Sequence, residues 1–196
     1  KSVSFDILEP YIDEVFTKKE KPSKPIISIH TREPRDTAKI IKTFYLKYPQ
    51  YRWITFRDMR GITIKDFSKF LKDSFLSVWV DNESAFGTYP LDSMSSGTPV
   101  IAKVPNMQPV WMNEENGVWI NNLNEMVDVI ANFIQNWLED NISETLYDNM
   151  SSTSSTYKNK EKFNSTVLEL FDEYFTARKN SFQEQLDKLK ITEETN

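Results

Sequence analysis

The sequence predicts an α/β fold in which helices cover both faces of a parallel β-sheet, with a helical extension at the carboxyl end. Short apolar runs that are typical of buried strands alternate with stretches whose apolar residues recur at helical spacing. This alternation is the pattern of βαβ units, whose strands run parallel. Right-handed crossovers bring the carboxyl ends of such strands to one edge of the sheet, where ligands bind. The loops expected there are rich in His, Arg, Asp, Ser and Asn, and they span 30–36, 56–61, 81–89 and 103–110.

The individual elements follow from local composition. Runs of β-branched and aromatic residues predict five strands, at Ile26–His30, Tyr51–Phe56, Phe75–Val80, Thr98–Ala102 and Gly117–Ile120. Apolar stripes at helical spacing predict four helices between and after them, at 36–48, 64–72, 90–95 and about 122–138. Asp36 is expected to cap the first helix, and Asn122 with Glu125 resembles a capping box that opens the fourth.

The carboxyl-terminal third is expected to be helical and is interrupted by one loop. A short helix is followed by the Ser/Thr-rich segment Ser151–Thr156, which favours a loop. Residues 160–190 combine many charges with apolar residues at helical spacing, which predicts one long helix or a pair of helices. The expected organisation is therefore a linker over 1–24, a Rossmann-like domain over 25–157 and a helical extension over 158–196.

Composition excludes several classes of function. The 196 residues include no cysteine, which excludes disulfides and thiolate chemistry. The single histidine excludes a site with several histidine ligands, and a Ser-His-Asp triad could form only around His30. The net charge of −5 argues against nucleic-acid binding, and no apolar run is long enough to span a bilayer. Because the sequence begins at Lys1 and lacks a signal-peptide pattern, we expect a piece of a longer, cytoplasmic protein.

The segment Asn82–Ala102 carries the most specific pattern in the chain. It contains, in order, Phe86-Gly87, Pro90-Leu91, Met94 and Gly97-Thr98-Pro99-Val100-Ile101-Ala102. This order resembles the donor-site signature of retaining GT-B glycosyltransferases of family 4, the group 1 type. Downstream, Asn116-Gly117-Val118-Trp119 resembles the Asn-Gly-aliphatic strand of the same family. The resemblance covers about residues 25–140.

The resemblance implies the Rossmann-like, carboxyl-terminal donor domain of a GT-B enzyme. Such a domain binds a nucleotide-diphosphate sugar, and the whole enzyme transfers a hexose to an acceptor held by an N-terminal domain, which this chain lacks. No metal or other cofactor is expected, and the isolated domain should be inactive or weakly active. The further expected partners are a membrane-associated acceptor and a second copy of the chain, bound through the carboxyl-terminal helix.

The physical chemistry of the loop at 84–90 agrees with a diphosphate site. This loop leads into a helix, whose free N–H groups and dipole attract anions. Gly87 lets the backbone approach a phosphate closely, and Asp92 stands where an acid can accept hydrogen bonds from ribose hydroxyls. The expected donor-binding residues are Phe56 and Arg57, whose main chain would hold the base, with Ser84, Ala85, Phe86, Gly87, Thr88 and Asp92.

The catalytic assignments are less direct because the motif departs from the family at one position. The family has two glutamates separated by seven residues, and the first contacts the donor sugar. Counting back from Asp92 places that first position at Ser84, although a shift of one residue would let Glu83 take the role. The family's basic pair neutralises the departing diphosphate. The candidates for that pair are Arg32, Arg35 and Lys39.

Other interpretations of the same residues remain open. Arg32 and Arg35 also fit solvated loop charges, and His30 fits a hydrogen-bonded residue at a strand end. The serine at position 84 also fits a degenerate, non-catalytic GT-B-like domain used for binding or scaffolding. A dehydrogenase is disfavoured because no Gly-x-Gly-x-x-Gly follows the first strand. A receiver domain is disfavoured because His30 and Arg32, rather than acidic residues, follow that strand.

Overall fold

The computed structural model describes residues 8–18, 24–83 and 87–194, with side chains described up to residue 185. Contacts divide the chain into two compact units. One unit is Tyr11–Lys158, which contains the β-sheet, and the other comprises Lys1–Pro10 and Asn159–Asn196.

The sheet has five parallel strands: β1 Ile26–Thr31, β2 Thr55–Asp58, β3 Leu76–Val80, β4 Val100–Lys103 and β5 Val118–Ile120. Their order is β2-β1-β3-β4-β5. The predicted parallel α/β fold is therefore confirmed. The strand order reverses direction between β1 and β3, because β2 lies on one side of β1 and all later strands lie on the other. In parallel sheets a ligand crevice opens at such a reversal, outside the carboxyl ends of the strands.

Six α-helices accompany the strands within the described ranges: α1 Pro34–Lys47, α2 Ile64–Asp73, α3 Thr88–Ser95, α4 Met126–Leu138, α5 Glu144–Ser155 and α6 Lys160–Glu194. Alternate residues of each strand face opposite sides of the sheet. On one side Ile27 and Ile29 pack with residues of α1 and α4, including Phe44 and Ile130. The opposite side, which includes Trp79, packs with residues of α2, α3 and α5.

Small buried hydroxyl side chains hold α3 against the sheet. Ser28 of β1 and Ser77 of β3 are both fully buried. The Ser93 hydroxyl donates to Ser77 Oγ at 2.6 Å, and the Tyr89 hydroxyl donates to Ser28 Oγ at 3.3 Å. Serine is small enough for a helix to lie close above the strand, and each buried hydroxyl finds a polar partner. The helix α3 is thereby fixed over β1 and β3, the two strands at the reversal.

Two predicted boundaries near the first and second strands are wrong. The second strand begins at Thr55 rather than Tyr51, because Pro49–Tyr51 forms a 3₁₀ turn that directs the Tyr51 ring onto Phe44, 6.2 Å between centroids. Asp36 lies inside α1 and does not cap it. The helix begins earlier because Pro34 already has the backbone torsion of a first helical residue and lacks the N–H that would go unpaired.

Two further boundaries also differ from the predictions. Asn122 caps a 3₁₀ turn, Leu123–Glu125, which precedes α4 and is not part of it. The predicted loop at Ser151–Thr156 is mostly the last turns of α5. Its hydroxyls bond back along the helix, since Ser154 Oγ donates to the carbonyl of Ser151 at 3.2 Å. That internal bonding lets a Ser/Thr-rich sequence remain helical.

The extension predicted over 160–190 is one continuous helix, α6. Its described side chains include large apolar residues that are mostly exposed, namely Leu168, Phe171, Tyr174, Phe175 and Phe182. Among the helices in the described part of the chain, none combines the length and apolar character needed to cross a membrane.

The packing of α1 predicts a large difference between two positions on that helix. Phe44 is fully buried within an aromatic cluster, so Phe44→Ala should lower the free energy of unfolding by about 3–5 kcal/mol. Leu46 is 72% exposed, and Leu46→Ala should change it by about 0.5 kcal/mol or less. Urea unfolding followed by tryptophan fluorescence measures both, since all five tryptophans lie in the sheet-containing unit. Similar losses in the two variants would contradict this account of the core.

Candidate functional site

The two strands at the reversal carry opposite charges just beyond their carboxyl ends. Arg32 follows β1, while Asp81 and Glu83 follow β3. The Arg32 guanidinium lies 3.6 Å from the Asp81 carboxylate and 3.2 Å from the Glu83 carboxylate. The main-chain N–H of Arg32 also donates to the carbonyl of Val80 at 2.9 Å, which joins the ends of β1 and β3. Because Arg32 and Glu83 are exposed, their ion pair is weak, and an incoming anion can replace the carboxylates.

The other two predicted cations lie on the helix that follows β1. Arg35 occupies the first turn of α1 and Lys39 the second, and both side chains are exposed. Residues four apart lie on the same side of a helix, so these two charges neighbour each other. Among the ion pairs of the described residues, none includes Arg35 or Lys39. Both charges are therefore available to a ligand.

The loop after β3 is fastened to the end of the next strand. The Asn106 N–H donates to the carbonyl of Asn82 at 2.9 Å, and the Lys103 ammonium donates to the Asn82 side chain. The Glu83 N–H donates to Asp81 Oδ1 at 2.9 Å, which closes a tight turn. These contacts fix the position of Glu83. Ser84, Ala85 and Phe86 lie outside the described residues.

Gly87 forms the start of α3 and contacts an aromatic side chain. Its backbone is left-handed, with φ at 58°, and it precedes the first helical residue, Thr88. A Cβ at this position would lie 2.8 Å from Cζ2 of Trp111. The Trp111 loop is itself held by Asn116, whose amide donates to the Trp111 carbonyl at 2.6 Å. Gly87 and Asn116, which are distant in sequence, therefore both contact Trp111.

The first turn of α3 offers main-chain donors to the crevice. Gly87 has no side chain that could cap the helix, and Thr88 beside it is exposed. The first N–H groups of a helix lack intrahelical partners and, together with the dipole, favour an anion. The start of α3 and the side chain of Arg32 are thus the two features that suit a phosphate group.

Asp92 lies in the second turn of α3 and is only slightly exposed. Burial, together with the smaller effect of the nearby Asp13 carboxylate, raises the pKa of its carboxyl to about 8. Within the described residues no cation forms an ion pair with Asp92. A carboxyl group in this setting is stabilised by a ligand that donates hydrogen bonds, such as a sugar hydroxyl.

His30, which the sequence argument did not place among the site residues, lies at the same reversal. Its ring stacks on Tyr89 in the first turn of α3, with centroids 5.1 Å apart and planes 19° apart. Its Nδ1 is buried and has no hydrogen-bond partner among the described residues. The expected role as a hydrogen-bonded residue is therefore not seen at that atom. The sequence signal for this residue is its position, because the single histidine of the chain lies one residue before the end of the first strand.

Phe56 and Arg57 lie within β2 and not beyond its carboxyl end. The Phe56 ring packs on Phe44 at 5.2 Å between centroids, and the Arg57 guanidinium lies 4.2 Å from the Phe70 ring centroid. Their side chains are used in packing, and the role of their main chain toward a nucleotide base stays a prediction. No group of three or more His, Cys, Asp or Glu side chains in the described ranges could hold a metal ion.

Comparison with known proteins defines the fold. No protein-family model and no curated protein sequence matches this chain. Among solved structures, the carboxyl-terminal domain of a glycosyltransferase group 1 family protein, LpcC from Francisella tularensis, matches with a TM-score of 0.57 at 16% identity. That alignment covers 75% of this chain and 98% of the LpcC domain. The chain therefore has the Rossmann-like fold of the carboxyl-terminal domain of GT-B glycosyltransferases.

Two longer proteins share the fold, and both were solved with ligands. The pneumococcal O-GlcNAc transferase GtfA, in complex with UDP and GlcNAc, matches with a TM-score of 0.57 at 14% identity. The alignment covers 82% of this chain and 38% of GtfA. Anabaena HepE in complex with UDP-glucose matches with a TM-score of 0.53 at 12% identity, over 77% of this chain and 49% of HepE. This chain thus spans less than half the length of either protein.

The contact between Gly87 and Trp111 predicts a specific cost for adding one methyl group. Gly87→Ala introduces both an unfavourable positive φ and a clash with the indole, and should lower the free energy of unfolding by about 2–4 kcal/mol. Gly61→Ala is the matched control, because Gly61 has φ at 68° with nothing within 4 Å of its Cβ position. It should lose only about 1–2 kcal/mol. Equal losses, measured by urea unfolding, would show that the indole contact is unimportant.

The buried carboxyl of Asp92 predicts a stability that falls as pH rises. Between about pH 4 and pH 8 the folded protein keeps a proton on Asp92 that the unfolded chain has lost. The free energy of unfolding therefore falls progressively as pH rises across this window. The total decrease is on the order of 2–3 kcal/mol when the partial exposure of the Asp92 carboxyl to solvent is taken into account. Asp92→Asn should remove this slope and be the more stable protein at pH 8 and above.

Urea unfolding at pH 5, 7 and 9 measures this pH dependence. The control is Asp148→Asn, at an exposed carboxylate in α5, which should leave the slope of the parent protein unchanged. Parallel pH profiles for the parent and Asp92→Asn would refute the assignment of the slope to Asp92.

Proposed function

We propose that this chain binds a nucleotide-diphosphate sugar at the reversal of strand order and is the donor-binding part of a hexosyltransferase. The observation that carries the proposal is that the Arg32 guanidinium after β1 and the helix α3, packed over β1 and β3, both lie at the reversal of strand order, in the fold of a GT-B donor domain. Support comes from GtfA and HepE, which share this fold and bind UDP and UDP-glucose respectively.

In this proposal the diphosphate lies on the first turn of α3. The first turn of α3, which begins at Thr88, presents main-chain N–H groups to it, and Arg32 leaves its carboxylate partners to bind the phosphate oxygens. Arg35 and Lys39 add positive charge from α1. Asp92 accepts hydrogen bonds from the ribose hydroxyls.

The same ion pair that holds Arg32 also connects diphosphate binding to the sugar. Glu83 is paired with Arg32 at 3.2 Å when no ligand is bound. When Arg32 turns to the diphosphate, the Glu83 carboxylate is left free to accept hydrogen bonds from the donor sugar. This role suits the position one residue before Ser84, where the family motif would place its first glutamate.

Transfer itself requires an acceptor that another domain would supply. The bond between the sugar C1 and the diphosphate oxygen breaks, the acceptor oxygen bonds to C1, and the acceptor hydroxyl loses its proton. The negative charge that develops on the diphosphate is stabilised by Arg32 and the amino end of α3, so these groups act most strongly as the leaving group departs. No cofactor is proposed, and the retention of stereochemistry at C1 remains part of the proposal.

A second candidate function is a degenerate GT-B-like domain that binds a ligand or partner without catalysis. The observation that favours it is a serine at position 84, where the family motif has its first glutamate. Restoring the acid with Ser84→Glu separates the two cases. Tighter binding of a nucleotide sugar in this variant supports the degenerate site, whereas weaker or unchanged binding supports Glu83 as the acid in use.

The remaining partner proposals concern the whole protein. We propose an N-terminal acceptor domain, a cytoplasmic location and a membrane-associated acceptor, as the resemblance implies. Self-association through α6 is a further proposal, supported by the exposed Phe171, Phe175 and Phe182. Sedimentation measurements on the chain test it, because a strictly monomeric chain at all concentrations would exclude it.

The donor site is tested by calorimetric titration of the chain with UDP, GDP, ADP and their sugar conjugates. We expect saturable binding of one nucleotide class and at least about tenfold weaker binding in Asp92→Ala, since the ribose loses a hydrogen-bond acceptor. Asp148→Ala, at an exposed carboxylate on α5, is the control and should bind like the parent. Silence across the panel in the folded protein would reject the donor site and leave the scaffold interpretation. Rapid sugar transfer by this chain alone would reject the need for a second domain.

A further inference from the structure

His30 is a titratable group at the reversal of strand order to which the proposed donor site gives no role. It lies in β1, two residues before Arg32, and its ring stacks on Tyr89 in the first turn of α3. The imidazole is therefore placed between the two features that suit a diphosphate, the guanidinium after β1 and the amino end of α3. Part of the ring remains exposed, while its Nδ1 is buried without a hydrogen-bond partner among the described residues.

Burial and the charged groups of neighbouring elements set the protonation of His30. Burial is the largest influence and lowers the pKa of the imidazole below its ordinary value. The carboxylates of Asp58, the last residue of β2, and of Asp81, after β3, oppose this effect, while Arg60 adds to it. The Tyr89 ring that covers one face carries no charge, because burial raises the pKa of its hydroxyl far above neutrality. The free protein thus holds a neutral imidazole at neutral pH.

We propose that His30 is a further binding residue for the donor diphosphate and that its imidazole takes up a proton when the diphosphate binds. The inference rests on the proposed function, because it assigns a residue and a proton to the same site. No covalent step is involved, since the proton comes from solvent and stays on the imidazole while the ligand is bound.

The physical reason is the change in charge that a diphosphate brings. A nucleotide sugar adds two negative charges close to the ring, and opposite charges within a few ångströms favour the protonated imidazole. Proton uptake and ligand binding are linked. If the bound diphosphate raises the pKa of His30, the affinity for the ligand increases as pH falls through that raised pKa. Each unit by which the pKa rises corresponds to about a tenfold gain in affinity between high and low pH.

The experiment uses the fact that the chain has a single histidine, so its ring protons give one unambiguous set of NMR signals. The ring is titrated from pH 5 to pH 9 with and without UDP-glucose, whose diphosphate has no titrating group in this range. We expect the pKa of His30 to rise by about one unit or more with ligand bound. The affinity, measured by calorimetry, should increase several-fold between pH 8 and pH 6, because the full gain of about tenfold per unit of pKa rise is reached only below the pKa of the unliganded imidazole.

A neutral replacement distinguishes the pH effect of His30 from that of Asp92, the other titrating group of the site. His30→Gln keeps a hydrogen-bonding side chain but cannot take up a proton, so it should flatten the affinity profile between pH 8 and pH 6. Asp92→Asn removes the carboxyl whose pKa is about 8 and should leave the rise at lower pH in place. The NMR titration of the parent protein needs no variant and decides the question even where His30→Gln fails to fold.

The failures of the two proposals are distinguishable. Binding of UDP-glucose with no rise in the pKa of His30, or with the same pH profile in His30→Gln, overturns this inference and leaves the donor site standing. No binding of UDP-glucose or of its GDP and ADP counterparts overturns the donor site, and this inference with it.

Discussion

The close packing of α3 on β1 and β3 is the constraint on which the candidate site depends. It combines buried hydroxyl contacts, Ser93 to Ser77 at 2.6 Å and Tyr89 to Ser28 at 3.3 Å, with the buried apolar side chains of Leu91 and Met94. Such contacts set both the height and the position of the helix along the strands, because hydrogen bonds are directional. The amino end of α3 is thereby placed at the reversal of strand order, where parallel sheets bind ligands.

A second feature of the site is that it holds two partly buried titratable groups. Burial keeps the Asp92 carboxyl largely protonated below about pH 8, and the buried Nδ1 of His30 has no hydrogen-bond partner among the described residues. Burying such polar groups costs stability, and hydrogen bonds from a ligand would offset that cost. The hydroxyl groups and anionic oxygens of a nucleotide-diphosphate sugar can form such bonds. The electrostatics of the site and the fold therefore point to the same class of ligand.

The contact between Gly87 and Trp111 shows how segments that are distant in sequence meet at this edge of the sheet. Gly87 lies against the Trp111 indole, and Asn116 holds the Trp111 carbonyl from the next segment. Gly87 and Asn116 are separated by about 30 residues in sequence, yet both contact Trp111. Glycine is required at position 87 by a positive φ as well as by the lack of space.

The sequence by itself determined the parallel α/β class and the position of the α3 loop, because hydrophobic periodicity and the order Phe86-Gly87 to Ala102 are local properties. It did not determine the start of β2 or the caps of α1 and α4, because those boundaries depend on which side chains pack in the core. The Tyr51 ring, for example, packs on Phe44 instead of continuing the strand. Only the tertiary structure decided that Arg32 meets Glu83 and that His30 stacks on Tyr89, because these pairs lie about 50 to 60 residues apart and are joined by strand order. Burial, which sets the pKa of Asp92, likewise exists only once the whole sheet is assembled.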